Sequence, residues 1–444
     1  MSKFEELRQK HKCFVYYDYE LTGGKLRFHF GMDDFHFYPE WSFESDLLSE
    51  EYDRSLVSEI AFSLGMAELV SYWKCACPPK VEVRCGSLSE YQKQWWKKLY
   101  FNGLAEFFYR NGIEADFESF MTISAPEAPK KSFHAARLDG VMTPIGGGKD
   151  SVVSVEILKS ANARIIPYII NARGATLGCV EAAGISCRDA VCPHRTIDKT
   201  LLELNKRGYL NGHTPFSAVV AFSSLLFGTL KGAKYIALSN ESSANEAYVE
   251  GTKINHQYSK STEFEHDFRE YCKISFGGFK SCSEYFSLLR PLTEWQIARE
   301  FVKYPAYFRV FQSCNLGSKT NIWCCNCAKC LYVYILLAAF LDDGELEGIF
   351  GCDMLQKTEL MPMLDGLMLN GEDKPFECVG SKDEVRLSLK MAADRRKDCL
   401  PPLLEHFNEC LPDFKPVDLS RYFDKDNFVP ENFLMYVERA ANGY

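Results

Sequence analysis

Three consecutive glycines in the middle of the chain constrain the fold most strongly, because they separate two apolar segments. The apolar stretch 138–145 leads into Gly146-Gly147-Gly148-Lys149-Asp150-Ser151, and the apolar stretch 152–158 follows. This pattern predicts a buried strand, a tight loop and the first turns of a helix. Glycines let a backbone approach an anion closely, and the N–H groups at a helix start point toward that anion. The stretch therefore predicts a phosphate-binding loop, in which Ser151 is an anion contact or the helix N-cap.

Two familiar phosphate loops do not fit these residues. A Walker A loop requires Gly where Thr143 stands and Ser or Thr where Asp150 stands, and a dinucleotide fingerprint requires Gly at Ser151. The residues instead resemble the Ser-Gly-Gly-x-Asp-Ser loop of the ATP pyrophosphatases, the PP-loop class, with Gly146 replacing the first Ser. The resemblance implies that the loop holds the β- and γ-phosphates of ATP while the α-phosphate is attacked. An ordinary strand-to-helix turn is the alternative interpretation.

Length, charge and cysteine usage limit the class of protein. A chain of 444 residues predicts two or three domains, and a formal net charge of −9 argues against broad contact with nucleic acid. The charged start, residues 1–13, predicts no signal peptide, and the longest apolar run, 331–341, is too short to span a membrane. The 18 cysteines without a secretory signal predict reduced thiols and a cytoplasmic protein.

The first part of the chain predicts a small antiparallel sheet. Aromatic residues alternate with polar ones through 14–19, 26–30 and 35–38, and Thr22-Gly23-Gly24-Lys25 is suited to a hairpin turn. A Pro-rich, charged stretch at 124–131 predicts a domain boundary. The predicted domains are an N-terminal α+β domain at 1–132, a nucleotide-binding domain at 133–345 and a helical C-terminal region at 346–444.

The middle of the chain alternates predicted strands with predicted helices. We expect strands at the stretches 138–145, 165–171, 188–198 and 235–239, with helices between them. This order predicts an α/β fold with a doubly wound, mostly parallel sheet, which binds ligands at the carboxyl ends of its strands. Beside the glycine loop, the residues that follow strand ends are site candidates: Asn171, Arg173, Asn240 and Glu241.

A cysteine cluster follows the predicted nucleotide domain. Cys314, Cys324, Cys327 and Cys330 stand in a short, turn-rich stretch, and Cys325 lies beside them. Zn²⁺ favours four thiolates, and Cys-x2-Cys spacing presents two sulfurs to one ion, so we expect a structural zinc site. The alternatives are free core thiols, an iron–sulfur cluster and an RNA-binding zinc knuckle.

The loop and the cysteine spacing together resemble the 7-cyano-7-deazaguanine synthase branch of the PP-loop enzymes. That branch lacks the long N-terminal segment and the helical tail. The full-length pattern is similar to a family of bacterial cell-wall epimerases that act on UDP-N-acetylmuramoyl-L-alanyl-L-glutamate. The resemblance rests on the following segments: Ser71-Tyr72-Trp73-Lys74, Gln94-Trp95-Trp96-Lys97-Lys98-Leu99-Tyr100, Gly146-Gly147-Gly148-Lys149-Asp150-Ser151, Trp323-Cys324-Cys325-Asn326-Cys327-Ala328-Lys329-Cys330 and Lys374-Pro375-Phe376-Glu377-Cys378-Val379-Gly380.

The resemblance implies an ATP-dependent enzyme that activates the substrate's glutamate as an acyl-adenylate. It assigns ATP to Gly146, Gly147, Gly148, Lys149, Asp150 and Ser151, with Asp150 also helping to place Mg²⁺ and Asn171 on the adenine side. Chemistry alone nominates His256, Glu241, Glu377 and Cys378 for proton transfer, beside Asp150 in the catalytic set. Arg173, Asn240, Lys260 and Lys319 are expected to bind the substrate, the basic ones at its diphosphate.

Two other functions stay open from the sequence. The chain could be another adenylating PP-loop enzyme, acting on a deazaguanine or a tRNA base. It could also be a non-catalytic RNA-binding module that uses the cysteine cluster as a knuckle, although its acidic balance opposes this. The sequence predicts a small-molecule substrate without nucleic-acid or membrane partners, and it leaves the oligomeric state undetermined.

Overall fold

The computed structural model describes residues 1–48, 52–129, 131–134, 138–249, 251–252, 254–317, 320–397 and 399–444. Two compact units make up the chain, each assembled from separated segments. Unit 1 comprises residues 1–142, 191–236 and 254–285, and unit 2 comprises residues 143–190, 237–253 and 286–444. The three domains predicted from the sequence stay a prediction.

The elements alternate between helices and strands along most of the chain. The helices are α1 (Lys3–Lys10), α2 (Arg54–Trp73), α3 (Glu90–Gly103), α4 (Ala105–Arg110), α5 (Lys149–Ser160), α6 (Gly174–Ala182), α7 (Lys199–Lys206), α8 (Phe216–Leu230), α9 (Thr262–Ser275), α10 (Glu294–Phe301), α11 (Ala328–Ala338), α12 (Asp343–Phe350), α13 (Met361–Met368), α14 (Lys382–Arg396), α15 (Pro402–Cys410) and α16 (Glu431–Asn442). The strands are β1 (Cys13–Thr22), β2 (Lys25–Met32), β3 (Phe35–Phe37), β4 (Glu40–Ser42), β5 (Lys80–Val83), β6 (Thr122–Ser124), β7 (Val141–Pro144), β8 (Ile165–Tyr168), β9 (His194–Thr196), β10 (Tyr235–Leu238) and β11 (Glu284–Ser287).

The larger sheet belongs to unit 1 and has the strand order β6-β5-β1-β2-β4-β9, with β3 beside β2. Strands β1 and β2 pair antiparallel. Gly23 and Gly24 connect them, and both have positive φ, as the predicted hairpin turn requires. The sheet is mixed rather than purely antiparallel, because β5 pairs with β1 and β6 pairs with β5 in parallel. Its aromatic side chains fill the core, with Phe28, Phe30 and Trp41 fully buried.

The predicted third strand of the parallel sheet, at 188–198, is wrong. Only β9 forms there, and it pairs antiparallel with β4 in the larger sheet, with Arg195 opposite Trp41. The guanidinium of Arg195 donates to both carboxylate oxygens of buried Glu68, at 2.5 and 2.6 Å, and Trp41 Nε1 donates to Glu68 at 2.9 Å. A strand with such a side chain does not suit the apolar interior of a parallel sheet, where strands are buried on both faces.

The smaller sheet has the strand order β11-β10-β7-β8. Strands β7 and β10 pair in parallel, and the Ile145 N–H donates to the Tyr168 carbonyl beyond the end of β7, at 2.9 Å. Mixed α/β structure with parallel pairing is therefore confirmed. The glycine loop leaves this sheet at the carboxyl end of β7, where parallel sheets place their ligands.

Unit 2 is largely helical. Helix α11 is buried along its whole length, which accounts for the apolar run near residues 331–341 as a core helix. Helices α12 to α16 form the predicted helical C-terminal region, and α14 begins at a capping box, a pattern readable in the sequence Ser381-Lys382-Asp383-Glu384, where Ser381 Oγ accepts from the Glu384 N–H at 3.2 Å. Among the described residues, no helix is both long and apolar enough to cross a membrane.

Candidate functional site

The glycine loop joins β7 to α5 as predicted. Gly147 has a φ of 84°, a conformation that side chains other than glycine rarely adopt, and a Cβ there would lie 3.2 Å from the backbone of Ala175 and Thr176. The Gly147 carbonyl accepts from the Gln312 N–H at 2.7 Å, which fixes the turn. The loop conformation therefore depends on glycine at this position.

Helix α5 begins at Lys149, and Gly148, not Ser151, is its N-cap. The Ser151 hydroxyl donates to the Gly148 carbonyl at 2.9 Å, so it lies inside the first turn instead of capping it. The first N–H groups of a helix have no partner within the helix and carry the positive end of its dipole. The start of α5 thus retains the geometry expected of an anion-binding helix end.

Lys149 is buried and forms ion pairs with two carboxylates of unit 2, those of Asp150 and Glu294. Burial alone lowers the pKa of Lys149, but Asp150 and Glu294 outweigh burial and raise it, so the ammonium stays charged. Burial raises the pKa of Glu294 to about 8, reinforced by Asp150 and only partly opposed by Lys149. The arrangement is a charged Lys149–Asp150 pair beside a carboxyl group that titrates near neutral pH.

Further polar groups surround Glu294. Its backbone N–H donates to Glu384 Oε1 at 2.6 Å, and burial raises the pKa of Glu384. The hydroxyl of fully buried Tyr332 has no hydrogen-bond partner among the described residues. A Cβ at Gly380 would collide with the Tyr332 hydroxyl and with Glu384 Oε2, so this glycine lets the 374–380 segment approach the carboxyl groups.

The two candidates after β10 lie in the same unit. Asn240 Nδ2 donates to Ser287 Oγ at 3.0 Å, and fully buried Arg290 donates to the Glu241 carbonyl at 2.5 Å. The Glu241 carboxylate is one of the charges that raise the pKa of Glu294. The structure therefore brings Glu241 close to the group formed by Lys149, Asp150 and Glu294.

The candidates after β8 lie near a groove beside the loop. Asn171 has a positive φ of 53°, and exposed Arg173 is the N-cap of α6, with its N–H donating to Thr176 Oγ1 at 2.9 Å. Gln312 lines the groove, and its side-chain nitrogen is buried without a partner among the described residues. The groove has a volume of about 570 Å³ and is lined by Gly174, Ala175, Phe308, Arg309, Val310, Phe311, Gln312, Asn321, Ile322, Trp323, Gly348, Ile349, Phe350 and Gly351.

The remaining catalytic and substrate candidates occupy different places. Glu377 Oε2 accepts from Asn315 Nδ2 at 2.8 Å, and the Cys378 carbonyl accepts from Lys329 Nζ, all within unit 2. In unit 1, His256 contacts Glu106, and Lys260 Nζ donates to Gln257 Oε1 at 3.0 Å. Lys319 lies outside the described residues.

The four predicted metal ligands converge. One sulfur from each of Cys314, Cys324, Cys327 and Cys330 lies within 4.8 Å of the others, and the Cys324 and Cys330 sulfurs are 3.6 Å apart. That separation is close to the edge of about 3.8 Å in a tetrahedron with Zn–S bonds of about 2.3 Å. Hydrogen bonding from Cys330, reinforced by the other thiols, lowers the pKa of Cys327 to about 5. The donor set therefore fits a four-thiolate zinc site.

Cys325 does not belong to this set, because its thiol donates to the Phe350 carbonyl at 3.3 Å. The cysteines among the described residues are free, and their reduced state stays a prediction. The cytoplasmic location stays a prediction.

Fold and site together define a mixed α/β protein with a glycine loop beside buried carboxyl groups and a separate four-thiol cluster. The family models described as MurL N-terminal domain and MurL C-terminal domain match residues 4–288 and 310–421. The chain belongs to the MurL epimerase family. No solved structure gives a significant match.

Three curated relatives share the name UDP-N-acetyl-alpha-D-muramoyl-L-alanyl-L-glutamate epimerase. The protein from Xanthomonas oryzae pv. oryzae is 33% identical over 360 residues, which cover 79% of this chain and 78% of the relative. The protein from a Micromonospora species is 33% identical over 352 residues, covering 78% and 77% of the two chains. The protein from Salinispora tropica is 32% identical over 332 residues, covering 73% and 71%.

Sequence reasoning missed Glu294, Tyr332 and Glu384. Glu294 and Glu384 stand in the first turns of α10 and α14, where acidic residues are common because they complement the helix dipole. Tyr332 stands within an apolar run that reads as core. No local signal separates these residues from structural ones, since their proximity arises only when helices from distant parts of the chain pack together.

Proposed function

We propose that the chain converts the terminal L-glutamate of UDP-N-acetylmuramoyl-L-alanyl-L-glutamate to D-glutamate, with cleavage of ATP to AMP and pyrophosphate. The observation that carries the proposal is the match over 79% of the chain to a relative named as the epimerase of this compound. The glycine loop at the carboxyl end of β7 supports the use of a nucleotide triphosphate. On this proposal, the fold is of the ATP pyrophosphatase class.

Activation of the carboxylate explains why an epimerase needs ATP. The free α-carboxylate of the terminal glutamate is negatively charged, and this charge makes the α-hydrogen hard to remove. Transfer of AMP to that carboxylate gives an acyl-adenylate and releases pyrophosphate. The mixed anhydride carries no carboxylate charge and can delocalise a carbanion as an enolate. Reprotonation on the opposite face followed by hydrolysis gives the D-glutamyl product and AMP.

The loop residues suit the activation step. Backbone N–H groups from Gly147 to Ser151 would cradle the phosphates at the positive end of α5. The Asp150 carboxylate is the oxygen ligand suited to Mg²⁺, which would neutralise the leaving pyrophosphate. Asn171 and the adjoining groove lined by Gln312 are suited to the nucleotide's base. Arg173, Asn240, Lys260 and Lys319 stay the proposed contacts of the UDP-containing substrate.

Glu294 joins the proposed proton-transfer candidates Glu241, Glu377 and Cys378 of unit 2, whereas the candidate His256 lies in unit 1, in contact with Glu106. A general base works best when its pKa lies near the operating pH, and the raised pKa of Glu294, about 8, meets this condition. Glu294 also contacts Lys149, the residue that precedes Asp150 in the loop. Within unit 2, Glu294 is therefore the carboxyl group best suited to exchange a proton with an activated substrate.

The four-thiol cluster has a structural role in this proposal. A site with four protein thiolates leaves no position for substrate, and it would hold the segment around Cys314 against the start of α11. Zinc would therefore stabilise unit 2 and take no part in proton transfer.

The test is product analysis with the intact chain. Incubation with the UDP-muramoyl dipeptide, ATP and Mg²⁺ should yield AMP, pyrophosphate and, after acid hydrolysis, D-glutamate by chiral chromatography. AMP release with a deazaguanine or a tRNA, but not with the muramoyl dipeptide, would contradict the proposal and favour another adenylating enzyme. D-Glutamate formed equally well without ATP would contradict the activation step.

A further inference from the structure

A second group of potential ligands lies in unit 1, away in sequence from the cysteine cluster. Glu106 stands on α4, His213 on the segment before α8, and His256 on the segment before α9. One donor atom from each lies within 4.8 Å of the other two. Three separate segments of the chain thus direct a carboxylate and two imidazoles to one point.

One carboxylate oxygen lies at the centre of this group. Glu106 Oε2 is 2.5 Å from His256 Nδ1 and 3.5 Å from His213 Nδ1, and the two imidazole rings have centroids 4.3 Å apart. Arg110 Nε contacts the other oxygen, Oε1, at 2.7 Å. Arg110 therefore orients the carboxylate, as an outer partner does for a metal-binding carboxylate.

A simple histidine–glutamate ion pair accounts for His256 but not for His213. Among the described residues, the His213 ring makes no hydrogen bond, although its Nδ1 lies 3.5 Å from Glu106 Oε2. An imidazole nitrogen beside a carboxylate oxygen, with a second imidazole in reach, is the kind of donor set that zinc-class ions bind.

The loop that carries His213 is held over α4 by polar contacts. Asn111 Nδ2 donates to the Asn211 carbonyl at 3.2 Å, and Lys74 Nζ donates to the Gly212 carbonyl. These contacts fix the backbone on the N-terminal side of His213. The imidazole is consequently held near Glu106 by the fold, without a hydrogen bond of its own.

Nearby cations oppose a bound metal ion. Lys74 and Lys260 both lower the pKa of His213 through their charge, and Arg110 contacts Glu106 directly. Burial lowers the pKa of Lys74 to about 8, which reduces the cost of losing its proton. We therefore expect an affinity below that of the four-thiol site, whose ligands are all thiolates.

We propose that Glu106, His213 and His256 bind a divalent transition-metal ion of the zinc class. Two imidazoles and one carboxylate supply three ligands, the composition of zinc sites that keep a fourth position for water or another oxygen ligand. Such a site would tie α4 to two loops of unit 1. It goes beyond the proposed epimerisation and does not depend on it.

The test uses Co²⁺ as a spectroscopic probe in the full-length chain. A Cys324→Ser/Cys327→Ser variant would silence the four-thiol cluster, and the purified protein would be stripped with a chelator and titrated with Co²⁺. We expect one bound equivalent with a visible d–d band and without thiolate-to-metal charge transfer. Adding His213→Asn to this variant should weaken binding by at least the ~10–100-fold that loss of an outer partner costs.

His29→Asn provides a matched control within unit 1, because His29 Nδ1 also contacts a carboxylate, that of Asp18, at 3.0 Å. This variant should bind the full equivalent. Co²⁺ binding that is unchanged by His213→Asn, or reduced equally by His29→Asn, would overturn the proposal. A second measurement avoids the risk that a variant misfolds: Zn²⁺ should protect His213 and His256 of the unaltered chain from histidine-specific acylation, mapped by mass spectrometry. Equal labelling with and without Zn²⁺ would also overturn it.

Discussion

Lys149 and Glu294 stand 145 residues apart in the sequence, and the buried Lys149 ammonium donates to the Glu294 carboxyl group, which links the first turn of α5 to that of α10. Their side chains are 1% and 3% exposed. Lys149 also pairs with Asp150, so one ammonium group balances two carboxyl groups. The contact connects the predicted nucleotide loop to a carboxyl group that no local sequence pattern singles out.

Replacing Lys149 by Ala should destabilise the protein strongly. The substitution leaves buried Glu294 and partly exposed Asp150 without their cation, and removing one partner of a buried charged pair costs about 3–5 kcal/mol. Lys159→Ala on the same helix is the control, since Lys159 pairs with Glu156 at an exposed position and should cost less than about 1 kcal/mol. Urea denaturation would measure both free energies of unfolding, and equal values would contradict the buried-pair account.

Glu294 should make stability fall as pH rises. Its folded pKa of about 8 lies above the ordinary value of 4.5, so the folded state holds this proton more tightly than the unfolded state. The resulting stabilisation is complete below pH 4.5 and is lost as pH rises through about 8. Glu294→Gln, which resembles the protonated acid, should therefore gain stability relative to the unaltered chain over this window. A difference that does not change between pH 5 and 8.5, followed by denaturation, would contradict the raised pKa.

Gly147 and Gly146 should respond differently to the same substitution. Gly147→Ala places a side chain at a φ of 84° and against the backbone of Ala175, and the conformation alone costs about 1–2 kcal/mol. A Cβ at Gly146 meets no protein atom within 4 Å, so Gly146→Ala should leave stability nearly unchanged. Thermal unfolding and ATP titration calorimetry would test the pair. Unimpaired ATP binding by Gly147→Ala would show that the loop is not the nucleotide cradle.

Loss of one thiol from the four-cysteine cluster should remove zinc, whereas loss of the adjacent thiol should not. Cys327→Ser removes a proposed ligand, and Cys325→Ser keeps a donor for the Phe350 carbonyl outside the cluster. At a free zinc concentration of 100 Kd, binding stabilises the folded state by about 2.7 kcal/mol, which Cys327→Ser should forfeit. Elemental analysis and thermal unfolding with and without Zn²⁺ would show the difference. Full zinc content in Cys327→Ser would contradict the assignment.

Short-range patterns in the sequence predicted the elements that depend on neighbouring residues. The hairpin at Gly23 and Gly24 follows from two adjacent glycines that accept positive φ, and the start of α14 follows from a capping box of Ser381 and Glu384. The glycine loop was predictable because its strand, turn and helix are consecutive. The four cysteines were predictable since their spacing brings the sulfurs together within one short segment.

Long-range relationships were not predictable in the same way. Strand β9 joins the larger sheet because Arg195 reaches Glu68, a partner 127 residues away. Glu294 and Glu384 meet because α10 packs against α14. His213 and His256 lie on two loops of unit 1 and meet Glu106, which lies on α4. Each of these residue types is common at helix ends or in loops, so a single sequence carries no local mark of its partner.

Hydrogen exchange at the glutamate α-carbon tests the central claim most directly. The full-length protein would be incubated in D₂O with UDP-N-acetylmuramoyl-L-alanyl-L-glutamate, ATP and Mg²⁺, and the product examined by mass spectrometry and proton NMR. The account predicts one deuterium at the α-carbon of the D-glutamyl product, with AMP released and no exchange when ATP is omitted. D-Glutamyl product without deuterium, or neither deuterium nor AMP from a folded protein, would contradict it.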